Sequence, residues 1–244
     1  RLAADITVSG AGGLDTGAET GAVWYDIYAI RKSSDGTLNL LLHLSDYWWS
    51  DTSFTTARDT SRALRLATST ATDRLAQGIQ FASSKPFAFH NVELIRAGAV
   101  SGNIWFELQS DSAGSPSGTV LATTDKIDAS SISSTAWMAV RFIFRNPYTV
   151  TAGTQYHLVM QGDYTRSDTV NIALRGVSAG GYANGSAKQY NGTTWSAATG
   201  VGDFYFICFV QITSSVTMPT GYDEKCQIGY VYNDSGGDFV PFAQ

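Results

Sequence analysis

Trp24-Tyr25-Asp26-Ile27-Tyr28-Ala29-Ile30, read with the Gly12-Gly13-Leu14-Asp15-Thr16-Gly17 before it, is the stretch from which the architecture follows. Trp24, Asp26, Tyr28 and Ile30 alternate with Tyr25, Ile27 and Ala29. A period of two that carries large apolar side chains on both faces predicts a central strand. Ser33-Ser34-Asp35-Gly36 is a hairpin turn signal, and Leu38 to Leu44 answers it with Leu38, Leu40, Leu42 and Leu44 on one face. A lone hairpin is marginal because it cannot bury a core, so this one needs further strands. They have their match at the far end. Pro219-Thr220-Gly221-Tyr222 reads as a turn, Gln227 to Tyr232 alternates, Asn233 to Gly237 forms a second turn and Asp238 to Phe242 a closing strand. Pairing of the two ends is the predicted solution.

Between them the texture differs. Asp46 to Arg74 lacks sustained alternation and hides one or two strands that periodicity does not place. From Gln77 onward, strands are predicted over 78–81, 87–96, 102–109, 119–122, 137–144, 155–162, 170–174 and 204–212, separated by Gly-, Ser- and Thr-rich turns. Val140, Phe142 and Phe144 are expected inside with Arg141 and Arg145 outside, and Ile104, Phe106 and Leu108 inside beside an outward Trp105 and Glu107. No helical period runs for any length. The expected fold is all-β: an antiparallel, jelly-roll-like β-sandwich over residues 46–212, inserted into a small β host module made of residues 1–45 and 213–244. An insert must begin and end at a surface loop of its host, here near Ser45 and Thr213.

Composition narrows the chemistry. With 24 Gly, 12% aromatic and 15% charged residues, the chain suits short strands and tight turns. A formal net charge of -5 provides no basic field for a phosphate backbone, so no nucleic-acid partner is expected. The apolar runs Leu38 to Leu44 and Phe204 to Val210 fall far short of the roughly 20 residues of a membrane helix, so no membrane insertion is expected. Cys208 and Cys226 sit in alternating apolar runs and read as buried free thiols rather than a disulfide. The chain opens on Arg1, with no basic and apolar signal region to read.

Catalytic signatures are weak. Gly114-Ser115-Pro116-Ser117-Gly118 puts Pro where a nucleophile elbow needs Ser. His43, His90 and His157 are scattered strand residues without partners at a fixed spacing. Glu93 and Glu107, expected on neighbouring strands, read as a solvated sheet face rather than an acid and nucleophile pair. Asp234 and Asp238 lack the dense oxygen ligands of a calcium loop. No metal or other cofactor is expected, nor is enzyme activity. Asn184-Gly185-Ser186 and Asn191-Gly192-Thr193 match the glycosylation pattern and read as turns.

Loop aromatics are the remaining signal. Sugar sites use flat aromatic faces to stack on C–H surfaces and nearby polar groups to bond hydroxyls. Trp48, Trp49, Tyr164, Arg166, Tyr182, Tyr190 and Trp195 are the candidate ligand-binding residues, although Tyr and Trp are also enriched at subunit contacts.

Gly13 to Gly17, Trp24-Tyr25, Leu44-Ser45, Pro219 to Tyr222, Ile228-Gly229 and Phe242-Ala243-Gln244 together resemble, in their order, a small module of bacteriophage tail and fibre proteins, here interrupted after Ser45. The middle is similar to generic carbohydrate-binding sandwiches, with Asn191 to Ser196 as a loop-strand corner. The resemblance implies a non-enzymatic virion appendage protein: a tail fibre, spike or head fibre, trimeric, on an upstream shaft or anchor, contacting other virion proteins and host surface polysaccharide. The alternatives are a purely structural decoration or connector protein and, third, a glycan depolymerase.

Overall fold

The computed structural model describes residues 5–9, 13–14, 23–44, 47–55, 58–64, 72–212, 216–233 and 239–240. In chain order these form β1 (Asp5–Ser9), β2 (Gly13–Leu14), β3 (Val23–Arg31), β4 (Leu38–Leu44), β5 (Tyr47–Phe54), β6 (Thr60–Leu64), β7 (Arg74–Gln80), β8 (Pro86–Ala97), β9 (Asn103–Ser112) and β10 (Ser115–Thr123). There follow β11 (Ile127–Asp128), β12 (Met138–Thr149), β13 (Gln155–Gly162), β14 (Asn171–Val177), β15 (Ala187–Tyr190), β16 (Trp195–Ala197), β17 (Asp203–Phe204), β18 (Phe206–Ile212), β19 (Glu224–Asn233) and β20 (Phe239–Val240). The protein is all-β: a single 3-10 turn, Ala129–Ser131, is the one helical element among the described residues. Among the described residues no helix is long and apolar enough to cross a membrane.

The chain divides into two compact units, residues 1–47 with 212–244, and residues 48–211. In the first, β3 is central to a sheet ordered β1-β2-β4-β3-β19-β20. On one side it pairs antiparallel with β4, from Tyr25↔Leu44 to Arg31↔Leu38. On the other it pairs antiparallel with β19, from Arg31↔Glu224 to Val23↔Asn233. The hairpin closes where Gly36 takes φ +76° and its N–H donates to the Lys32 carbonyl at 2.9 Å. Pro219 to Tyr222 is a turn of the same economy. The Tyr222 N–H donates to the Pro219 carbonyl at 3.0 Å, with Gly221 at φ +85° in the position that requires glycine. The turn beyond Leu14, the connections at Ser45 and Thr213, the turn after Asn233 with Asp234 and Asp238, and Phe242-Ala243-Gln244 lie outside the described residues.

Residues 48–211 form an antiparallel sandwich. Its first sheet runs β10-β9-β13-β7-β15-β16, with β11 on β9. Its second runs β17-β14-β8-β18-β5, with β12 on β8 and β6 on β14. Alternation fills the space between. Ile104, Phe106 and Leu108 of β9 meet Val140, Phe142 and Phe144 of β12, all buried, and Phe106 lies 4.7 Å from Phe142. Each such side chain removed from water contributes about 1.5–3 kcal/mol. His90 of β8 is in the same layer, wholly buried, with its ring 4.6 Å from Phe106 and 5.6 Å from Phe142.

Two local departures position everything that follows. β8 pairs with β18 as Phe89↔Phe209 and then Phe87↔Val210, so Ala88 is an extra residue, a bulge. The bulge resets the alternation: Phe87 and His90 both enter the core, and Phe89 turns outward. Asp46 to Arg74, opaque to periodicity, contains β5 and β6, which add to the second sheet through β18 and β14. Short edge strands rich in Ser, Thr and Asp carry too little apolar alternation to be read.

Three further expectations change. Cys208 is buried, but Cys226 is exposed, because it pairs with Ala29 on an open face of the first unit's sheet. Glu93 and Glu107 are not on neighbouring strands, for β8 and β9 belong to opposite sheets. Nor is Glu93 solvated: it is only 8% exposed, clamped by Arg58 at 3.2 Å and Arg175 at 3.1 Å.

Candidate functional site

The seven candidate residues separate into two groups. Tyr164 is buried, and its hydroxyl accepts the Ile172 N–H at 3.1 Å; burial pushes the phenol up to about 12. Arg166 donates Nη1 to the Asp73 carboxylate at 2.9 Å and Nη2 to the Gly162 carbonyl. Tyr182 sets its ring 5.1 Å from Phe206, and its hydroxyl bonds both the N–H and the carbonyl of Gln80. These three are internal braces that satisfy buried backbone groups, and their polar atoms are already engaged. Their hydrogen bonds are made within the fold.

Trp48 and Trp49 are exposed, at 61% and 59%, on adjacent positions of β5, and so point to opposite sides of that strand. Tyr190 and Trp195 are half-buried on the β15–β16 hairpin. Its turn is set by Asn191, whose Oδ1 accepts the N–H groups of Thr193 and Thr194 at 2.9 and 2.8 Å.

The sheet register brings Tyr190 and Trp195 together with residues from three more strands. Tyr190 lies opposite Trp195 on one side and Arg74 on the other. Gln161 lies opposite Trp105, one position beyond the Met160↔Leu75 pair that aligns β13 with β7. A row therefore crosses the outer face of the first sheet: Trp195, Tyr190, Arg74, Gln161, Trp105. The Tyr190 and Trp195 rings are 5.1 Å apart, the Arg74 guanidinium lies 5.1 Å over Tyr190, and Lys126 Nζ lies 4.2 Å over Trp105. Four strand spacings separate the end tryptophans, about 19 Å.

Polar groups stand beside this row. Glu107 accepts from Gln109 Nε2 at 2.7 Å, Gln161 Nε2 at 3.0 Å and Trp105 Nε1 at 3.4 Å. His157 Nε2 lies 2.7 Å from Asp111 Oδ1. Burial lowers the His157 pKa against the opposing pull of Asp111. Burial raises that of Asp111, but the His157 and Gly114 hydrogen bonds outweigh it and leave the carboxyl below its usual value. The pair is thus neutral imidazole donating Nε2–H to carboxylate. β10 and β16, at the two ends of the strand order, approach each other, so the sheet curls. Gln109, His157 and Val159 face away from the core yet are only 2%, 1% and 0% exposed, so the curl closes over the middle of this outer side.

The second sheet carries a different feature on its own outer face. The outward Phe89 stacks on Phe209 at 4.5 Å, meets Trp48 in a T-shaped contact at 5.6 Å and supports the Arg141 guanidinium at 4.2 Å. A groove of about 360 Å³ opens there, lined by Trp48, Phe89, Arg141, Ile143, Arg145 and Gln211 among others.

Catalytic geometry is sparse. Glu93 and Glu107 face outward from opposite sheets and cannot flank one bond. Among the described residues no hydroxyl or thiol is bonded to His157, and no group of three His, Cys, Asp or Glu could hold a metal ion. Of the row, alternation marked Trp105 as outward, whereas Arg74 lay in the stretch without periodicity and Gln161 carried no signal. No protein-family model matches the chain, and a search of the curated proteins gives no match to it.

Proposed function

We propose that the chain is a non-enzymatic component of a bacteriophage virion appendage, a tail fibre, spike or head fibre, whose residues 48–211 bind a host-surface saccharide along the outer face of the first sheet. The observation that carries this reading is the row Trp195–Tyr190–Arg74–Gln161–Trp105 across the outer face of a curled sheet. Indole and phenol faces stack on sugar C–H surfaces, the Arg74 guanidinium provides donors for hydroxyls, and the Gln161 carbonyl oxygen provides an acceptor, its Nε2 being held by Glu107. Rigid strands hold those groups in place, which reduces the ordering cost of binding. The first unit joins both ends of the chain in one sheet and serves as the mount.

The rival reading, a connector that only contacts neighbouring subunits, draws on Leu38 and Ile228, apolar side chains 54% and 58% exposed in the first unit. Burial of such residues against other copies accounts for the proposed trimer.

The deciding experiment is a glycan array followed by titration of the best polysaccharide against wild type and Trp195→Ala. Loss of about tenfold or more in affinity, about 1.4 kcal/mol, is expected for the variant. Absence of binding across host polysaccharides refutes the saccharide reading and leaves the connector. Falling polymer viscosity would instead reveal a depolymerase.

A further inference from the structure

The groove on the second sheet is separate from that row, since it lies on the other layer of the sandwich and shares no residue with it. We infer that it is a second binding site, specific for a carboxylate-bearing sugar, in which Arg141 takes the carboxylate and Trp48 stacks on the ring.

Charge is the first argument. The groove lining contains Arg141 and Arg145 and no carboxylate, in a chain whose net charge is -5. Arg145 is already neutralised, its Nε donating to both oxygens of Asp125 at 2.6 and 2.9 Å. Arg141 has no carboxylate partner among the described residues. Its Nε donates to Asn91 Oδ1 at 3.3 Å, which leaves both Nη groups of the fork uncommitted.

Preorganisation is the second. The bulge at Ala88 turns Phe89 outward; Phe89, braced by Phe209, then holds the guanidinium face 4.2 Å above its ring. The stacking and the Asn91 bond fix the plane of the fork before any ligand arrives. A fork fixed in this way receives a carboxylate through two parallel charge-assisted hydrogen bonds. Shape supplies the third argument. The Trp48 and Phe89 rings meet in a T-shaped contact at 5.6 Å, and Trp48 is 61% exposed, so it presents an aromatic surface beside the anion position, with Gln211 available to a hydroxyl. A flat apolar wall next to a carboxylate receptor matches a uronic acid ring, whereas an acidic peptide has carboxylates but no ring face to stack.

The test is titration of the whole chain with an oligouronate, its carboxyl-reduced form and poly-glutamate, read by backbone amide NMR. The oligouronate is expected to bind, with shifts at Trp48, Phe89 and Arg141. Arg141→Gln and Trp48→Ala each weaken it about tenfold or more, and Arg141→Lys retains part of the affinity. Arg141 and Trp48 are exposed, so these variants fold, as an unchanged melting temperature will verify. Equal binding of the carboxyl-reduced form, equal binding of poly-glutamate, no binding at all, or dependence on Trp195 in place of Arg141 would each overturn the assignment. The saccharide reading of the first sheet stands or falls separately, on Trp195.

Discussion

Replacing His90 with leucine will flatten the acid dependence of stability of residues 48–211. His90 is wholly buried between the two sheets, ringed by Phe87, Phe106, Phe142 and Phe144, and among the described residues neither ring nitrogen has a hydrogen-bond partner. Burial with nothing to stabilise the cation lowers its pKa from 6.5 to about 3. The folded state therefore holds the neutral ring, while the unfolded chain takes up a proton as soon as pH falls below 6.5. The contribution to stability is complete above 6.5, drains away as pH falls toward 3, and is constant again below that. At about 1.4 kcal/mol per pH unit, His90 costs the wild type about 2.5 kcal/mol between pH 7 and pH 4.5. Leucine, similar in volume, removes both the titration and an unsatisfied buried N–H worth about 1–3 kcal/mol, but forfeits ring-edge contacts of about 0.5–1.5 kcal/mol each. The two proteins are thus expected within about 1 kcal/mol of each other at pH 7, with the variant ahead by about 2.5 kcal/mol more at pH 4.5. Urea unfolding followed by tryptophan fluorescence reads this unit, since Trp48, Trp49, Trp105, Trp137 and Trp195 lie in it and only Trp24 lies elsewhere. His157, whose pKa burial also lowers, contributes to both proteins alike and cancels in the difference. The carboxylates held low by hydrogen bonds, such as Asp111 and Asp163, lose their contribution only below about pH 4. An acid slope as steep in His90→Leu as in the wild type would refute the argument.

Two other outcomes follow from packing. A methyl on Gly185 would stand 2.0 Å from the Gly78 carbonyl oxygen, so Gly185→Ala has to prise its loop from β7; a loss of about 1–3 kcal/mol is expected, or about 2–4 °C in melting temperature per kcal/mol. In thiol titration under native conditions Cys226 reacts and Cys208 does not, because Cys208 is buried and burial pushes its thiol well up. Unfolding releases the second equivalent; two reactive thiols in the native protein would contradict the burial.

A connection between the proposed groove site and the core runs through β8. The bulge that admits His90 beside Phe87 is the same one that sends Phe89 outward to carry Arg141. Core packing and the outer groove are thus tied to one inserted residue, and Ala88 is small enough to be that residue without disturbing either layer.

Periodicity alone determined the class of this protein and most of its inside and outside. Val140, Phe142 and Phe144 are buried with Arg141 and Arg145 exposed, as alternation requires, and β13 runs from Gln155 to Gly162 where its pattern begins and ends. Turn chemistry placed the hairpin at Ser33 to Gly36, because a positive φ there selects glycine. The chain divides into compact units at 47/48 and 211/212. Tertiary structure decided which strands are neighbours, and hence what is a site. Nothing local relates Arg74 to Tyr190, or sets Glu93 and Glu107 on opposite sheets, since strand order depends on contacts far apart in the chain. Tyr164, Arg166 and Tyr182 have the composition of a sugar site in sequence, but in space they answer the hydrogen-bonding needs of buried backbone. An aromatic or arginine side chain serves either purpose, and what distinguishes them is whether its faces and donors are already taken.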